Sequence, residues 1–360
     1  MKVIVKKEKL IKSLQKIQGV IEKRTTMPIL NNMLIETDNS LIIKATNLDL
    51  SVIVKEEAQI EREGKICIPA KKLFEIVKLL PTEDVILEQV DKNIIINSGK
   101  TNFKLFTYPA EDFPIIKTLE KNKGITINKN KFFESIKKVE YTIYPDESRE
   151  SLHGIFIHKV EDKLRFVASD GFRLAYNEFS FGESCEDVLI PKKAVTELTK
   201  LQNDGEKEEL ILYISNNMLM IELENTILIS KLKESKFPNY TEVIPNNPYK
   251  LFLNKNEILE TLRRVSVISD EATKSVILNI DENKIILKSN NADLGYAEDE
   301  IAAQYDGVPF ETCFNAKFMI EVIEPLNSDT IKMELKDSQS AAVISGDECY
   351  KAVLMPIRLQ

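Results

Sequence analysis

The sequence predicts an α+β protein made of three tandem copies of one unit. An amphipathic helix pattern occurs three times along the 360 residues, and a second helix pattern follows in each copy, with alternating or apolar strand segments between them. The period is about 120 residues, far longer than the roughly 20–50 residues of solenoid repeats, so each copy is expected to form a domain with its own core. The predicted domains span residues 1–121, 122–246 and 247–360, with bounds in loops that contain Asn, Lys and Pro.

The first helix of each copy is recognised from its apolar residues. They recur at positions i, i+1, i+4 and i+7, which is the spacing of one face of an amphipathic helix. The three matching sets are Leu10, Ile11, Leu14 and Ile17, then Phe132, Phe133, Ile136 and Val139, then Ile258, Leu259, Leu262 and Val265.

The second helix begins near Pro69, Pro191 and Asn315 in successive copies. Proline is favourable in a first helical turn because its missing N–H would be unpaired there in any case. The strand segments between the helices also repeat, and matching Phe-Pro pairs, Phe113-Pro114 and Phe237-Pro238, come late in the first two copies.

The composition indicates a globular protein that is expected in the cytoplasm. Hydrophobic residues make up 43% and charged residues 29% of the chain. No segment approaches the roughly 18 consecutive apolar residues of a membrane span, and the N-terminus has no signal-peptide pattern, so no membrane partner is expected. The four cysteines, Cys67, Cys185, Cys313 and Cys349, are widely separated and are expected to be reduced, mostly packed thiols.

No motif in the sequence indicates catalysis, a metal or a cofactor. His153 and His158 are five residues apart in a strand-like segment, which would put them on opposite faces. Gly99-Lys100-Thr101 resembles the end of a P-loop, but Ile94 occupies the position of the first glycine, and no helix pattern follows. Catalytic, metal and cofactor sites are therefore all predicted to be absent.

The charge is distributed unevenly along the chain. The net charge is −8, yet Lys and Arg are in excess in five of the six predicted helix segments: 6–24, 69–81, 128–140, 191–203 and 254–264. Basic helices attract a phosphate backbone without regard to base sequence, and an acidic remainder repels it from other surfaces. The pattern predicts sequence-independent binding of double-stranded DNA, although lysines that simply favour solvated helix faces are the alternative.

The chain resembles the bacterial DNA polymerase III beta clamp family over its whole length. The most specific segments are Arg24-Thr25-Thr26-Met27-Pro28-Ile29-Leu30, Thr46-Asn47-Leu48-Asp49-Leu50, Ala168-Ser169-Asp170-Gly171-Phe172-Arg173-Leu174, Phe237-Pro238-Asn239-Tyr240 and the terminal Met355-Pro356-Ile357-Arg358-Leu359. The resemblance implies three copies of the DNA clamp fold, each with two helices packed on antiparallel sheets, in a head-to-tail dimeric ring. Such a ring slides on duplex DNA, catalyses nothing, and tethers the replicative polymerase, the clamp loader, other polymerases and repair proteins.

Helix dimensions independently favour a homodimer. A helix is about 10 Å across, so the twelve helices of two subunits would enclose an opening of roughly 28 Å, enough for a duplex. Six helices from one subunit would leave only roughly 9 Å, which is narrower than one major groove of about 12 Å.

The resemblance implies a set of DNA-facing cations. The matching positions are Lys12, Arg24, Lys71, Lys72, Arg149, Lys193, Lys200 and Lys274. Each could instead be an ordinary solvated cation. Glu150 and Ser151 follow Arg149, where some relatives have aromatic residues, so base stacking at this loop is in doubt.

A pocket for partner peptides is also implied. Its matching positions are Leu152, Ser169, Gly171, Phe172, Arg173, Leu174, Pro238, Glu242, Val243, Val353, Met355, Pro356, Ile357, Arg358 and Leu359. An apolar groove suits the Leu and Phe anchors of a short peptide, and methionine helps it fit several partners. The C-terminal segment is too apolar for a free terminus, and the resemblance places it beside Gly171–Leu174, with Arg173 and Arg358 at the rim. Ordinary core packing is the alternative, and Glu242 replaces a basic residue of a well-known member.

The resemblance also implies a ring-closing interface that joins Lys100, Phe103 and Leu105 of one subunit to Val267, Ile268 and Glu298 of the other. Joining the sheet edges there would also remove exposed strands. Core packing is the alternative for these residues. Two other functions stay open at this level, namely a DNA-associated scaffold that never encircles DNA and a nucleic-acid enzyme with an unrecognised site.

Overall fold

The computed structural model describes residues 1–22, 26–215 and 217–358, and this part of the chain contains six α-helices. In chain order they are α1 (Lys7–Ile17), α2 (Ala70–Leu79), α3 (Lys129–Val139), α4 (Lys192–Thr199), α5 (Lys255–Val265) and α6 (Ala316–Ile323). All six predicted helices are therefore confirmed. Of the twelve apolar positions that predicted the first helix of each copy, all but Ile11 are buried.

The helices are mostly shorter than the sequence segments that predicted them. The α1 helix ends at Ile17 rather than near residue 24, because the chain turns at Gly19 and passes close to another side chain. A Cβ atom at Gly19 would lie only 1.9 Å from Glu197 Oε2. The α2 helix ends at Leu79 because Pro81 disfavours a helical conformation in the residue before it. The α5 and α6 helices begin at asparagine caps, since Asn254 accepts from the Glu257 N–H and Asn315 from the Phe318 N–H.

Twenty-six β-strands lie within the same described ranges, and they pair antiparallel. The first ten are β1 (Lys2–Lys6), β2 (Asn32–Thr37), β3 (Leu41–Thr46), β4 (Leu50–Glu56), β5 (Gln59–Arg62), β6 (Gly64–Pro69), β7 (Asp84–Val90), β8 (Asn93–Ser98), β9 (Thr101–Phe106) and β10 (Ile125–Asn128). The next seven are β11 (Gly154–Val160), β12 (Lys163–Ser169), β13 (Arg173–Ser180), β14 (Val188–Pro191), β15 (Glu209–Ser215), β16 (Met218–Glu222) and β17 (Thr226–Lys231). The last nine are β18 (Tyr249–Asn254), β19 (Ser275–Ile280), β20 (Lys284–Asn291), β21 (Gly295–Ala302), β22 (Gln304–Tyr305), β23 (Phe310–Asn315), β24 (Thr330–Leu335), β25 (Ala342–Ser345) and β26 (Tyr350–Leu354).

The chain divides into two compact units. The first consists of Met1–Phe133 and Lys193–Leu232. It contains a five-stranded sheet in the order β5-β1-β7-β8-β9 and an eight-stranded sheet in the order β10-β15-β16-β17-β4-β3-β2-β6. The α1 helix packs against α2 and β4. Within this unit β17 pairs with β4, for example Leu228 with Val52, so one continuous sheet crosses the bound predicted near residue 121.

The second unit consists of Glu134–Lys192 and Lys233–Gln360. It contains a nine-stranded sheet in the order β14-β11-β12-β13-β26-β25-β24-β18-β22 and a four-stranded sheet in the order β21-β20-β19-β23. The α5 helix packs against α6 and β21. Here β26 pairs with β13, so this sheet crosses the bound predicted near residue 246. The two predicted boundaries between the three domains stay a prediction.

The structure explains the P-loop-like segment and shows the state of the four cysteines. Gly99 and Lys100 form the tight turn between β8 and β9, and Gly99 has a φ of +59°, a left-handed conformation that glycine adopts readily. The four cysteines are free thiols, but only Cys67 and Cys313 are buried, whereas Cys185 is half-buried and Cys349 is exposed. The expectation that most of the thiols are packed was therefore only partly correct.

No helix in the described ranges is long and apolar enough to cross a membrane.

Candidate functional site

A pocket of about 260 Å³ opens on the surface of the second unit. Ten residues predicted for the peptide site line it: Leu152, Ser169, Gly171, Phe172, Arg173, Leu174, Pro238, Val243, Val353 and Met355. Three of them expose large apolar side chains to solvent, with 61% of Phe172, 57% of Val243 and 50% of Met355 accessible. An apolar, solvent-facing concavity of this kind can take the hydrophobic side chains of a ligand.

The C-terminal strand forms one wall of the pocket. Leu174 on β13 is opposite Val353 on β26, and both side chains are buried in one cluster with Tyr240. The ladder continues one residue further, because the Met355 N–H donates to the Phe172 carbonyl oxygen at 2.9 Å. The start of the apolar tail, up to Met355, therefore packs beside Gly171–Leu174, as the resemblance implied.

A tight turn between β12 and β13 forms the neighbouring wall. Asp170 Oδ1 accepts from the N–H groups of Phe172 and Arg173, each at 2.9 Å. The Ser169 hydroxyl donates to the Arg173 carbonyl at 2.9 Å and accepts from the Gly171 N–H at 3.2 Å. Gly171 has a φ of +88°, which a residue with a side chain rarely adopts. These bonds present Phe172 at the mouth of the pocket.

Arg173 does not form a charged rim, contrary to the sequence expectation. Its side chain is only 6% exposed and makes ion pairs with Asp170 and Glu321. The guanidinium also lies over the Phe318 ring, 4.1 Å from its centroid. A buried guanidinium requires partners for its charge and its hydrogen bonds. Arg173 finds these partners inside the second unit and not at the mouth of the pocket.

The sequence prediction missed three pocket-lining residues, Phe237, Asn239 and Tyr240. They belong to the Phe-Pro-Asn-Tyr segment that supported the family resemblance, so the motif itself was the available signal. Phe237 stacks on Phe156 with ring centroids 5.2 Å apart. The Tyr240 hydroxyl accepts from Arg165 Nη1 at 2.9 Å and lies 2.8 Å from His158 Nε2. Burial raises the pKa of Tyr240.

Four predicted pocket residues lie outside the lining of this pocket: Glu242, Pro356, Ile357 and Arg358. Glu242 accepts a hydrogen bond from Asn239 Nδ2 at 2.6 Å, next to the wall rather than in it. The Ile357 N–H donates to the Cys313 carbonyl at 2.7 Å, which leads the chain away from the cavity. Arg358 is exposed, and Leu359 is outside the described residues.

In the first unit, the predicted DNA-facing lysines are exposed on three helices. Lys12 is on α1, Lys71 and Lys72 on α2, and Lys193 on α4, with Lys200 just after α4. Four of them have acidic neighbours: Lys12 with Glu8, Lys72 with Glu75, Lys193 with Glu22, and Lys200 with Glu197. The pairs of Lys12, Lys72 and Lys193 are exposed on both sides and contribute at most about 1 kcal/mol each, so a phosphate can compete for these lysines, whereas Glu197 is buried. Arg24 lies outside the described residues.

The two predicted cations of the second unit lie outside the α-helices. Arg149 lies in the 3-10 segment Glu147–Leu152, with its guanidinium carbon 5.1 Å from the centroid of the Tyr144 ring. Lys274 is half-buried and has a φ of +48°. Its backbone N–H donates to the Asp270 carbonyl at 2.8 Å.

The sequence charge count overstated the positive charge that α3 presents to solvent. Lys129 is buried, and its ammonium donates to the carbonyl oxygens of Asp204 and Gly205 at 3.2 and 3.1 Å. Lys138 is also buried, in ion pairs with Glu134 and Asp347. Lys129 and Lys138 are thus held in internal contacts, which periodicity alone cannot show.

The predicted interface residues occur at sheet edges and a turn in their respective units. In the first unit, Phe103 and Leu105 are on the edge strand β9, and Lys100 is in the preceding turn. In the second unit, Glu298 is on the edge strand β21, whereas Val267 and Ile268 are in the 3-10 turn Ser266–Ile268.

Three more exposed apolar residues at these edges were missed by the sequence prediction: Phe106 (82% exposed), Leu294 (65%) and Tyr296 (69%). Large apolar side chains on an edge strand are unusual for a monomer and indicate a surface that becomes covered. Phe106 follows directly after the Phe103–Leu105 segment, so it could have been considered as part of the same edge.

Comparison with known protein families decides the identity of the fold. Models of the DNA polymerase III beta subunit match the chain in its N-terminal domain at residues 1–117, its central domain at 126–239 and its C-terminal domain at 241–358. The chain belongs to the DNA polymerase III beta subunit family. It therefore has the three-domain clamp fold that the sequence predicted, with helices and antiparallel sheets.

Individual relatives agree with this assignment over the full length of both chains. The chain is 33% identical to the beta sliding clamp of Caulobacter vibrioides and 30% identical to that of Escherichia coli, with complete coverage in both cases. A crystal structure of a sliding clamp from Bartonella birtlesii bound to griselimycin matches with a TM-score of 0.95 at 34% identity, covering both chains completely. That of the beta subunit from Thermotoga maritima matches with a TM-score of 0.93 at 29% identity, again with complete coverage.

The function that follows from this membership is that of a DNA sliding clamp for DNA polymerase III. The non-encircling scaffold that the sequence left open is not favoured. DNA and the polymerase are accordingly the partners of the chain. Within residues 1–22, 26–215 and 217–358, no group of three or more His, Cys, Asp or Glu side chains is placed to hold a metal ion.

Proposed function

We propose that the chain is a non-catalytic processivity subunit, which forms a homodimeric ring around duplex DNA in the cytoplasm. The observation that carries the proposal is the match of all three family domains, in order, along one chain. A ring holds DNA topologically and needs neither a reactive side chain nor base contacts, which agrees with the sequence-independent charge pattern.

Topological retention tests this proposal. The labelled protein would be loaded onto a nicked circular plasmid with a clamp loader, and the DNA-bound fraction would be isolated by gel filtration. Cutting the plasmid once should release the protein, because a ring slides off a free end. Equal retention on circular and linear DNA would instead indicate a scaffold that does not encircle DNA, and hydrolysis of DNA or nucleotide by the purified protein would indicate an enzyme.

The pocket in the second unit is proposed as the shared docking site for partner peptides. Its exposed apolar residues suit leucine and phenylalanine anchors, which in this proposal come from the replicative polymerase catalytic subunit, the clamp loader, other polymerases and repair proteins. A cavity of about 260 Å³ accepts few anchors, and the peptide loses conformational entropy on binding. The affinity should therefore be modest, with a Kd on the order of micromolar, so that partners can exchange on one ring.

The subunit interface is proposed to join edge strand β9 of one chain to edge strand β21 of another. Both edges present exposed apolar residues, Phe106 on β9 and Tyr296 on β21, that association would cover. The predicted residues Lys100, Phe103, Leu105, Val267, Ile268 and Glu298 belong to the same two regions.

DNA contact is proposed to involve the exposed helix lysines of the first unit together with Arg24, Arg149 and Lys274. The support is the exposure of Lys12, Lys71, Lys72, Lys193 and Lys200 and the weakness of the exposed ion pairs of Lys12, Lys72 and Lys193. Phosphate binding by such flexible cations is independent of base sequence and sensitive to salt.

A further inference from the structure

We propose that Glu321 is a positioning residue for the peptide pocket, and that it acts by holding the Arg173 guanidinium. The inference rests on the pocket being the peptide-docking site. Glu321 lies on α6 and is outside the set of described residues that line the pocket. Any effect of Glu321 on peptide affinity must therefore be transmitted through a residue that does line it, and Arg173 is such a residue.

Arg173 connects α6 to the turn that forms one pocket wall. Its backbone N–H donates to Asp170 Oδ1 at 2.9 Å, and its Nε donates to Asp170 Oδ2 at 3.0 Å. Its Nη1 donates to Glu321 Oε2, and its Nη2 donates to the Tyr141 carbonyl at 2.9 Å. The side chain thus ties the turn to two separate parts of the second unit.

Two aromatic rings also contact the guanidinium. Its central carbon lies 4.1 Å from the centroid of the Phe318 ring and 5.1 Å from that of Tyr141. With only 6% of its side chain exposed, Arg173 depends mainly on protein groups as partners. A buried arginine with one carboxylate removed therefore has to move or recruit another acceptor.

Asp170 cannot compensate for the loss of Glu321 without disturbing the turn. Its Oδ1 already accepts from the backbone N–H groups of Phe172 and Arg173, so one carboxylate holds both the turn and the guanidinium. If Arg173 moved outward in search of an acceptor, it would draw Asp170 and the attached backbone with it. Phe172 would shift as a result, together with the carbonyl that accepts from Met355, so both pocket walls would be affected.

Peptide affinity is the first measurement. A fluorescein-labelled peptide with leucine and phenylalanine anchors would be titrated against the full chain by anisotropy. Glu321→Ala should weaken binding by about 5- to 10-fold, since it removes a charge-assisted hydrogen bond that is only partly exposed. Glu321→Gln keeps an oxygen acceptor for Arg173 and should restore most of the affinity, to within about 3-fold of the natural chain.

Glu324→Ala is the matched control. Glu324 directly follows α6 and pairs with an arginine, Arg263, at 2.6 Å, but this pair is about half-exposed and has no bond to the pocket turn. Its replacement should leave peptide affinity unchanged. Urea midpoints of all three variants would be measured in parallel, so that a general loss of stability is recognised.

A single tryptophan provides a readout that does not depend on peptide. The chain contains no tryptophan, so Phe172→Trp introduces one fluorophore at the mouth of the pocket. Adding Glu321→Ala to this reporter should lower its steady-state anisotropy, because the turn is released, whereas adding Glu324→Ala should not.

The outcomes separate the two proposals. If the natural chain binds no such peptide, the docking function fails, and the reporter still decides whether Glu321 positions the turn. If the natural chain binds peptide, but Glu321→Ala binds equally well or weakens no more than Glu324→Ala, the positioning role is wrong. It is also wrong if the reporter anisotropy is the same with and without Glu321.

Discussion

The Met355 N–H donates to the Phe172 carbonyl oxygen at 2.9 Å, and this bond joins two residues that are 183 positions apart in the sequence. It extends the β13–β26 ladder by one step beyond Arg173–Leu354. Both residues expose their side chains at the pocket, so the bond fixes the distance between two apolar walls. The pocket therefore depends on the C-terminal segment for its shape as well as for its surface.

Deleting residues 355–360 should abolish peptide binding. The truncation removes the exposed Met355 side chain and the bond to Phe172, whereas β26 and its buried residues up to Leu354 remain. Anisotropy titration with a leucine- and phenylalanine-containing peptide would measure the effect, with a loss of at least about 10-fold expected for removing a central anchor point. The dimer should persist in light scattering. A truncated chain that bound the peptide as tightly as the full chain would place the docking site elsewhere.

Phe106→Ala should weaken the dimer. The side chain is 82% exposed in the single chain, so its removal should barely affect folding, while any packing that it provides across a subunit interface would be removed. A well-packed aromatic residue at an interface contributes about 2 kcal/mol or more, which is about a 30-fold change in the dimer dissociation constant. Sedimentation or light scattering over a dilution series would measure it.

Leu79→Ala is the matched control for the dimer experiment. Leu79 is an equally exposed apolar residue, at 81%, but it lies at the end of α2 rather than on the β9 edge. Its replacement should leave the dissociation constant unchanged. Equal effects of the two variants, or none from Phe106→Ala, would contradict the assignment of β9 to the interface.

The helices and the pocket were predicted from the sequence to different extents, for physical reasons. Helix positions follow from local periodicity, which is why sets such as Leu10, Leu14 and Ile17 located them and proved to be buried. The burial of Arg173 could not be predicted in this way, because it depends on Glu321, 148 positions away. The exposure of Phe106 depends on β9 being an edge strand, which is a property of the sheet order and not of the segment.

Replacing both Lys71 and Lys193 with alanine should weaken DNA binding equally on all base sequences. Both are exposed on helices of the first unit, and phosphate binding by such side chains carries no sequence information. The slope of log K against log salt concentration should fall by about one unit for each phosphate that is no longer neutralised by a lysine. Binding to circular duplexes of two unrelated sequences over a salt series would measure both effects.

Lys336→Ala serves as the control in the DNA experiment, because Lys336 is exposed just after β24 and is not among the predicted DNA-facing cations. Each substitution removes one positive charge. An effect of net charge alone would therefore appear in Lys336→Ala as well as in the double variant. A weakening that depended strongly on base sequence would mean that bases are read directly, and sequence-independent sliding would then be wrong.

Protonation of His158 should make the protein less stable as the pH falls below about 6.5, which is the ordinary pKa of histidine. Burial lowers the pKa of His158, outweighing the opposing effect of Asp187, and Arg165 lowers it further. A histidine whose pKa is lower in the folded state binds its proton more readily when unfolded, so its stabilising contribution is present above the unfolded pKa. That contribution is lost as the pH falls toward the folded pKa.

His158→Gln tests this pH dependence, because the uncharged glutamine amide can also hydrogen-bond the Tyr240 hydroxyl, which lies 2.8 Å from His158 Nε2 in the natural chain. The variant should show a flatter dependence of the free energy of unfolding between about pH 7 and pH 5, measured by urea denaturation at each pH. Since Tyr240 lines the pocket, peptide affinity measured over the same pH range should also vary less in the variant. If the natural chain and His158→Gln lost stability in parallel over this range, the titration of other groups would be responsible.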